Sequence, residues 1–221
     1  MRHFDIEMSD LKNHLLDMAS LVQEIIRAAT EGLSKSNLKQ VEKVYSLEKK
    51  INVKEIVIDD KCLKLIALHQ PVSTDLRFIT SAMKINNDLE RMGDEAVSIS
   101  RMTKNLIKYK GLKPLEDISK MVLAVENMII ESIKAFNTSD TDLAFLMLKR
   151  DDEVDMLRNK VVDDIKNIMV HSSNQEIIQK AVDLIFIAKS IERIGDHATN
   201  ICEDIIFMAH GKDVRHPKVN G

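Results

Sequence analysis

Two pentapeptides hold the residues of this chain best placed to do chemistry, Glu90-Arg91-Met92-Gly93-Asp94 and Glu192-Arg193-Ile194-Gly195-Asp196. Glu192 stands 102 positions after Glu90, and the agreement continues with Ala96 against Ala198 and Ile99 against Ile201, the mark of an internal duplication. Each copy lies in a stretch of helical periodicity, so the Glu and the Asp, four apart, project from one helix face. Like charges at that spacing repel by a few tenths of a kcal/mol in an isolated helix. A sequence that repeats the arrangement invites a neutralising cation, either an arginine or a metal ion.

A second pair of polar positions precedes each pentapeptide. Asp151 and Asp155 are four apart, and their first-half counterparts, 103 positions earlier, are Glu48 and Asn52. Asp151 and Asp155 flank Val154, while Glu192 and Asp196 flank Ile191 and Gly195, so the acids line the edge of a helical seam. Carboxylates from two neighbouring helices then meet at a groove on the flank of a bundle. Left unpaired within a few ångströms of one another, they would cost about several kcal/mol. All-oxygen ligation suits a hard cation such as Mg²⁺, Mn²⁺ or oxidised iron. Two plainer readings stand beside this one: the acids are solvated, or they pair with Arg91 and Arg193, each three residues from its Asp. Asn52 offers only a neutral donor.

Other motifs are absent. The chain has no Glu-x-x-His of a ferritin-like di-iron centre and no His-Glu-x-x-His zinc signature. It lacks a Gly-rich phosphate loop and a nucleophile elbow, which removes the usual motifs of nucleotide chemistry and acyl transfer. His197, next to Asp196, reads as solvent-facing ahead of the alternative that it reaches the groove; Asn200 and Glu203 either extend the acidic strip or are plain exposed polar positions, and Asp75 and Arg77 read as first-turn charges of a helix. Cys62 and Cys202 sit alone in helical pattern and read as buried small hydrophobes.

The elements that must position the acids follow from apolar spacing. Met8, Leu11, Leu15, Met18, Val22, Ile25 and Ala29 alternate spacings of 3 and 4, a heptad seam that predicts a first helix ending near Leu33. A second helix is predicted from about Asn37, with Val44, Leu47, Ile51, Ile58, Cys62 and Leu65 inward, ending before Pro71. The third opens at Ser73 or Thr74 and runs to about Tyr109. Gly111-Leu112-Lys113-Pro114 marks a boundary, giving a first unit over 1–110 and a second over 111–211. That second unit repeats the plan: a helix from about Leu115 to Phe136, one using Val154, Leu157, Val161, Ile165 and Ile168 and stopping around His171–Asn174, and a last one with inward positions spaced from Ala181 to Ala209 and stopped by Gly211. Residues 212–221 read as a mobile tail. The fold class is all-α, with six long antiparallel helices in two tandem three-helix bundles related by the repeat. A single six-helix bundle is the competing architecture.

Composition agrees with helices and limits the partners. Only 6 Gly and 3 Pro accompany 44% hydrophobic and 30% charged residues, as in an ordered helical chain. A net charge of −3 with interspersed signs leaves no basic footprint for nucleic acid and no polybasic membrane anchor. Met1-Arg2-His3-Phe4-Asp5 lacks a signal-peptide core and no run is apolar for long enough to span a bilayer, so a cytoplasmic location without membrane insertion is expected.

Taken together, Gln70-Pro71 with Asp75-Leu76-Arg77, Asp88 through Asp94, Ser190 through Ile201, and Gly211-Lys212-Asp213-Val214-Arg215-His216 resemble the PhoU family of phosphate-uptake regulators over essentially the whole chain. The resemblance implies tandem three-helix bundles, frequent dimerisation, and metal ions or clusters held by Glu/Asp-x-x-x-Asp motifs. Carried onto this chain, those motifs are Glu48 with Asn52, Glu90 with Asp94, Asp151 with Asp155, and Glu192 with Asp196, holding divalent or trivalent cations drawn from Mg, Mn, Fe or Zn. It also implies a cytoplasmic adaptor that represses the phosphate-starvation response through the sensor histidine kinase of the phosphate regulon and the ATPase subunit of the phosphate ABC transporter. Two alternatives to that adaptor are a carboxylate-ligated, metal-dependent phosphoesterase and a plain helical scaffold.

Overall fold

Residues 3–108 and 116–214 are described by the computed structural model. They form seven helices: α1 (His3–Lys35), α2 (Leu38–His69), α3 (Ser73–Lys108), α4 (Glu116–Thr138), α5 (Thr141–Leu148), α6 (Asp151–Val170) and α7 (Gln175–His210). The predicted boundary at Gly111–Pro114 and most of the predicted tail lie outside the described residues.

Helix ends fall where short polar residues and backbone freedom allow them. The Asn37 side chain accepts the Lys39 N–H to open α2, and Gln70, at φ 47°, closes it just before Pro71. Asp140 caps α5 by accepting the Leu143 N–H at 2.9 Å, and Asn174 caps α7 by accepting the Glu176 N–H at 2.9 Å. Gly211 ends α7 at φ 66°, a left-handed turn that glycine makes without a Cβ clash.

The middle arm of the second half differs from its first-half counterpart. Whereas α2 runs unbroken, the equivalent arm is divided into α5 and α6 at Lys149–Arg150. Neither Gly nor Pro causes the break. Asp151, Asp152 and Glu153 fill the first turn of α6, where acidic side chains oppose the positive end of the helix dipole and favour a fresh start.

α1, α2 and α3 pack together as one three-helix bundle, and α4, the α5–α6 arm and α7 as the other. Burial follows the duplication: Val44, Ile51, Ile58 and Cys62 of α2 match buried Met147, Val154, Val161 and Ile165. Only α3 against α7 and α1 against α4 join the bundles extensively, which settles the arrangement in favour of two bundles rather than one of six helices. The apolar interior is nevertheless continuous from one bundle to the other.

α3 and α7 run antiparallel, tied by a ladder of polar contacts. Arg77 Nε donates to the Met208 carbonyl at 3.4 Å, and Lys84 Nζ meets Asp204 Oδ1 at 3.3 Å. Asp88 Oδ1 is shared by His197 Nδ1 at 2.8 Å and Asn200 Nδ2 at 3.1 Å, and Arg193 reaches Glu95 at 2.7 Å.

The pentapeptide glycine faces the middle helix of its bundle with a different clearance in each half. A Cβ on Gly93 would stand 3.3 Å from Ile51 Cδ1 of α2, and one on Gly195 would stand 3.5 Å from Val125 Cγ2 and 3.8 Å from Val154 Cγ1 of α6. The latter are ordinary contacts, so Gly195→Ala should gain about 0.5–1 kcal/mol from helix propensity. Its melting temperature should rise by about 1–4 °C. Gly93→Ala presses on Ile51 and should forfeit most of that gain. Calorimetry on the two variants checks this, and equal rises would contradict the difference in packing.

Candidate metal centre

Packing through the glycines sets the acid positions side by side. Ile51 lies between Glu48 and Asn52 in α2 and touches α3 at Gly93, between Glu90 and Asp94; Val154 lies between Asp151 and Asp155 in α6 and faces Gly195, between Glu192 and Asp196. Each acid pair is thereby carried to the edge of a dry helix–helix contact, half-buried instead of fully hydrated.

In the second bundle, four carboxylates feel one another. Burial, then Glu192, Asp151 and Asp155, push the Asp196 carboxyl up to about 6, with the His197 charge opposing. Asp151 is raised too, by burial first and then by Asp155, Asp152 and Glu192. One cation relieves part of the strain: Arg158 Nη2 lies 3.2 Å from Glu192 and 3.5 Å from Asp155. Neither Asp151 nor Asp196 has a salt bridge among the described residues.

The first bundle is less acidic at the corresponding place. Asn52 Nδ2 donates to Glu48 Oε1 at 2.7 Å, while its Oδ1 is buried with no hydrogen-bond partner. Glu90 is raised by burial first, then by Asp94, Glu55 and Glu48, and lowered by Arg91. Arg91 reaches Glu90 at 3.7 Å and Asp94 at 4.0 Å. Glu55, itself raised by burial and by Asp59 and Asp94, joins this group.

Several residues depart from their predicted places. Arg193 turns away from Asp196 to Glu95 on α3, so only the first-half arginine serves its own pentapeptide. His197 is not solvent-facing: its side chain is 16% exposed and held by Asp88, which Asn200 also binds. Sequence reasoning missed Glu55 and Arg158. Glu55 lies seven residues after Glu48 on the same helix face and was legible from that spacing. Arg158, three after Asp155, needed the structure, because its second partner is on α7.

Among the described residues, no three His, Cys, Asp or Glu side chains stand close enough together to grip a single ion. The donor chemistry still fits a hard cation. The second bundle supplies four coupled carboxylates, two of them without an ion pair and shifted toward the protonated form. The first supplies a carboxamide oxygen that lacks a donor, beside Glu48. Arg158 and Arg91 stand where a bound cation's charge would serve.

Comparison with known proteins came out consistently. The PhoU domain model matches the chain twice, over residues 15–103 and 118–205. The chain is 37% identical to the phosphate-specific transport system accessory protein PhoU homolog of Aquifex aeolicus, over 96% of each chain. It is 34% identical to the homolog of the same description from Clostridium acetobutylicum, again over 96% of each. Its fold is similar to the crystal structure of PhoU from Pseudomonas aeruginosa, with a TM-score of 0.91 and 31% identity, covering 95% of this chain and 100% of that one.

The raised Asp196 carboxyl has a consequence for stability. A proton held more tightly in the folded chain means that ionising Asp196 costs stability: the cost is absent below the ordinary value of 3.8 and complete above about 6. In chelator-treated protein, Asp196→Asn should therefore raise the melting temperature by a few degrees at about pH 8 and leave it unchanged at about pH 4. Thermal melts across that range check the sign, and a variant less stable at high pH would contradict it.

Proposed function

The chain belongs to the PhoU family, and from that premise we propose that it is an accessory regulator of high-affinity phosphate uptake with no catalytic activity of its own. The observation that carries this reading is similarity over nearly the whole length, to relatives whose printed description is phosphate-specific transport system accessory protein. The regulator works in the cytoplasm as an adaptor. It contacts the ATPase subunit of the phosphate ABC transporter and the sensor histidine kinase of the regulon, and holds the starvation response in its repressed state while phosphate is plentiful. No described helix is long and apolar enough to cross a membrane, which is compatible with docking onto a transporter from one side. Long helices packed in parallel rows offer such partners rigid flanks.

The acid positions have a part in this reading. Asp151, Asp155, Glu192 and Asp196 would hold one cation or cluster, and Glu48, Asn52, Glu90 and Asp94 another, drawn from Mg, Mn, Fe or Zn. A bound cation supplies positive charge that relieves the repulsion among these groups. Asp151 and Asp196, which lack a salt bridge, give up their tendency to hold protons, and Glu192 and Asp155 exchange Arg158 for a stronger partner. The adaptor also pairs with a second copy of itself.

Two measurements test the proposal. A strain without the gene should express alkaline phosphatase at a high level in phosphate-rich medium, and normal repression there would defeat the regulatory role. Protein purified without chelator should carry stoichiometric metal by elemental analysis, and the Asp151→Asn, Asp196→Asn double variant should lose the second-bundle share. Metal-free wild-type protein would remove the cation from the account.

A further inference from the structure

One outward face of the first bundle carries three large apolar residues, Val53, Ile56 and Leu63, that no other described helix covers. The inward face of α2 is occupied by Val44, Ile51, Ile58 and Cys62, all buried, and α2 packs only against α1 and α3. On its opposite side, Ser46, Lys49, Val53, Ile56, Asp60 and Leu63 alternate spacings of 3 and 4, and all six are exposed. This is a second heptad seam on the same helix, facing outward. Val53, Ile56 and Leu63 are 64%, 68% and 58% exposed, aligned on one side of a single helix.

The duplication provides an internal control. The matching positions of the second arm are Lys149, Asp152, Met156, Asn159, Asp163 and Lys166, with one apolar residue where α2 has three. Burial on the inward faces matches between the same two arms, so the outward faces have diverged while the inward faces have not. An outward stripe maintained in one copy only is what a contact specific to the first bundle requires.

We propose that the occupant of this seam is α2 of a second copy of the chain, laid antiparallel across a two-fold axis between Val53 and Ile56. Charge selects that partner and register. With the axis there, Val53 meets the partner's Ile56, Ser46 meets the partner's Leu63, and Lys49 meets the partner's Asp60. Each of these contacts occurs twice by symmetry. The one basic and the one acidic residue of the seam thus oppose each other, and the apolar pair falls at the centre. A parallel arrangement would instead set Lys49 against Lys49 and Asp60 against Asp60, which like-charge repulsion disfavours. Lys49 has no salt bridge among the described residues, and Asp60 has only the exposed Lys64 on its own helix.

The seam from Ser46 to Leu63 is about 27 Å long at 1.5 Å per residue. A single helix pair of that length buries less than a standard interface, so the dimer is a weak, concentration-dependent one. This inference rests on the proposed pairing with a second copy and names its surface.

Sedimentation equilibrium on the full chain, over about 1–300 µM at low salt, reads the association. The wild type should pass reversibly from monomer to dimer. Ile56→Asp, at an exposed site, should keep the native circular dichroism and melting profile and shift the midpoint at least tenfold toward monomer. Lys49→Glu and Asp60→Lys should each weaken the dimer severalfold, and the double exchange should restore it, since the two charges change places. A wild type that stays monomeric throughout overturns both this inference and the dimer itself. A dimer indifferent to Ile56→Asp, or single charge variants that the double exchange fails to rescue, overturns the surface or its register while leaving the dimer standing.

Discussion

Carboxylates on neighbouring helices repel, and helices held together by a shared apolar interior cannot move apart to relieve it. Val154 opposite Gly195, and Ile51 opposite Gly93, bring the acid positions of adjacent helices side by side at the edge of each seam. Dispersion and apolar burial along each seam outweigh the electrostatic cost, which is why the folded chain tolerates half-buried acids at all. The strain then surfaces as proton affinity. Asp196, Asp151, Glu90 and Glu55 all hold protons more tightly than free carboxyls, with burial the first cause in every case.

The two bundles have resolved that strain differently. In the first, Asn52 replaces one carboxylate and neutralises part of Glu48 by a hydrogen bond, and Arg91 sits over Glu90 and Asp94. In the second, all four acids remain. The pentapeptide arginine is drawn away to Glu95 on α3, and Arg158 from the middle arm takes its place. Loss of Arg193 to the inter-bundle contact therefore leaves Asp196 exposed to its acidic neighbours, and a cation has most to neutralise in that bundle. The division of α5 from α6 belongs to the same pattern, since the Asp151-Asp152-Glu153 run starts a helix at the spot where Asp151 must enter the cluster.

Much of this was legible from residue types and spacing. Apolar residues at alternating steps of 3 and 4 located the buried faces of α1, α2, α3 and α7, and the duplicated pentapeptide located the acids, because both signals are local to one helix. What the sequence left hidden involves two helices at once. His197 reads as exposed until Asp88 is seen opposite it, and Arg193 reads as the partner of Asp196 until Glu95 proves nearer in space. The outward stripe of α2 was half legible: spacing put Ile51 and Ile58 inward, but that no described helix covers Val53 and Ile56 follows only once α1 and α3 are seen to pack on the inward side.

Asp196 and His197 are consecutive, and that adjacency ties the acid site to the junction between bundles. The Asp196 side chain faces the carboxylates of α6, while His197, next in the chain, faces Asp88 on α3. Their charges act on each other, for His197 is the one group that lowers the Asp196 carboxyl while the surrounding acids raise it. Because the two residues share one turn of α7, which packs against every other helix of its own bundle as well as α3, a single helix holds both the pentapeptide acids of the second bundle and the junction between bundles.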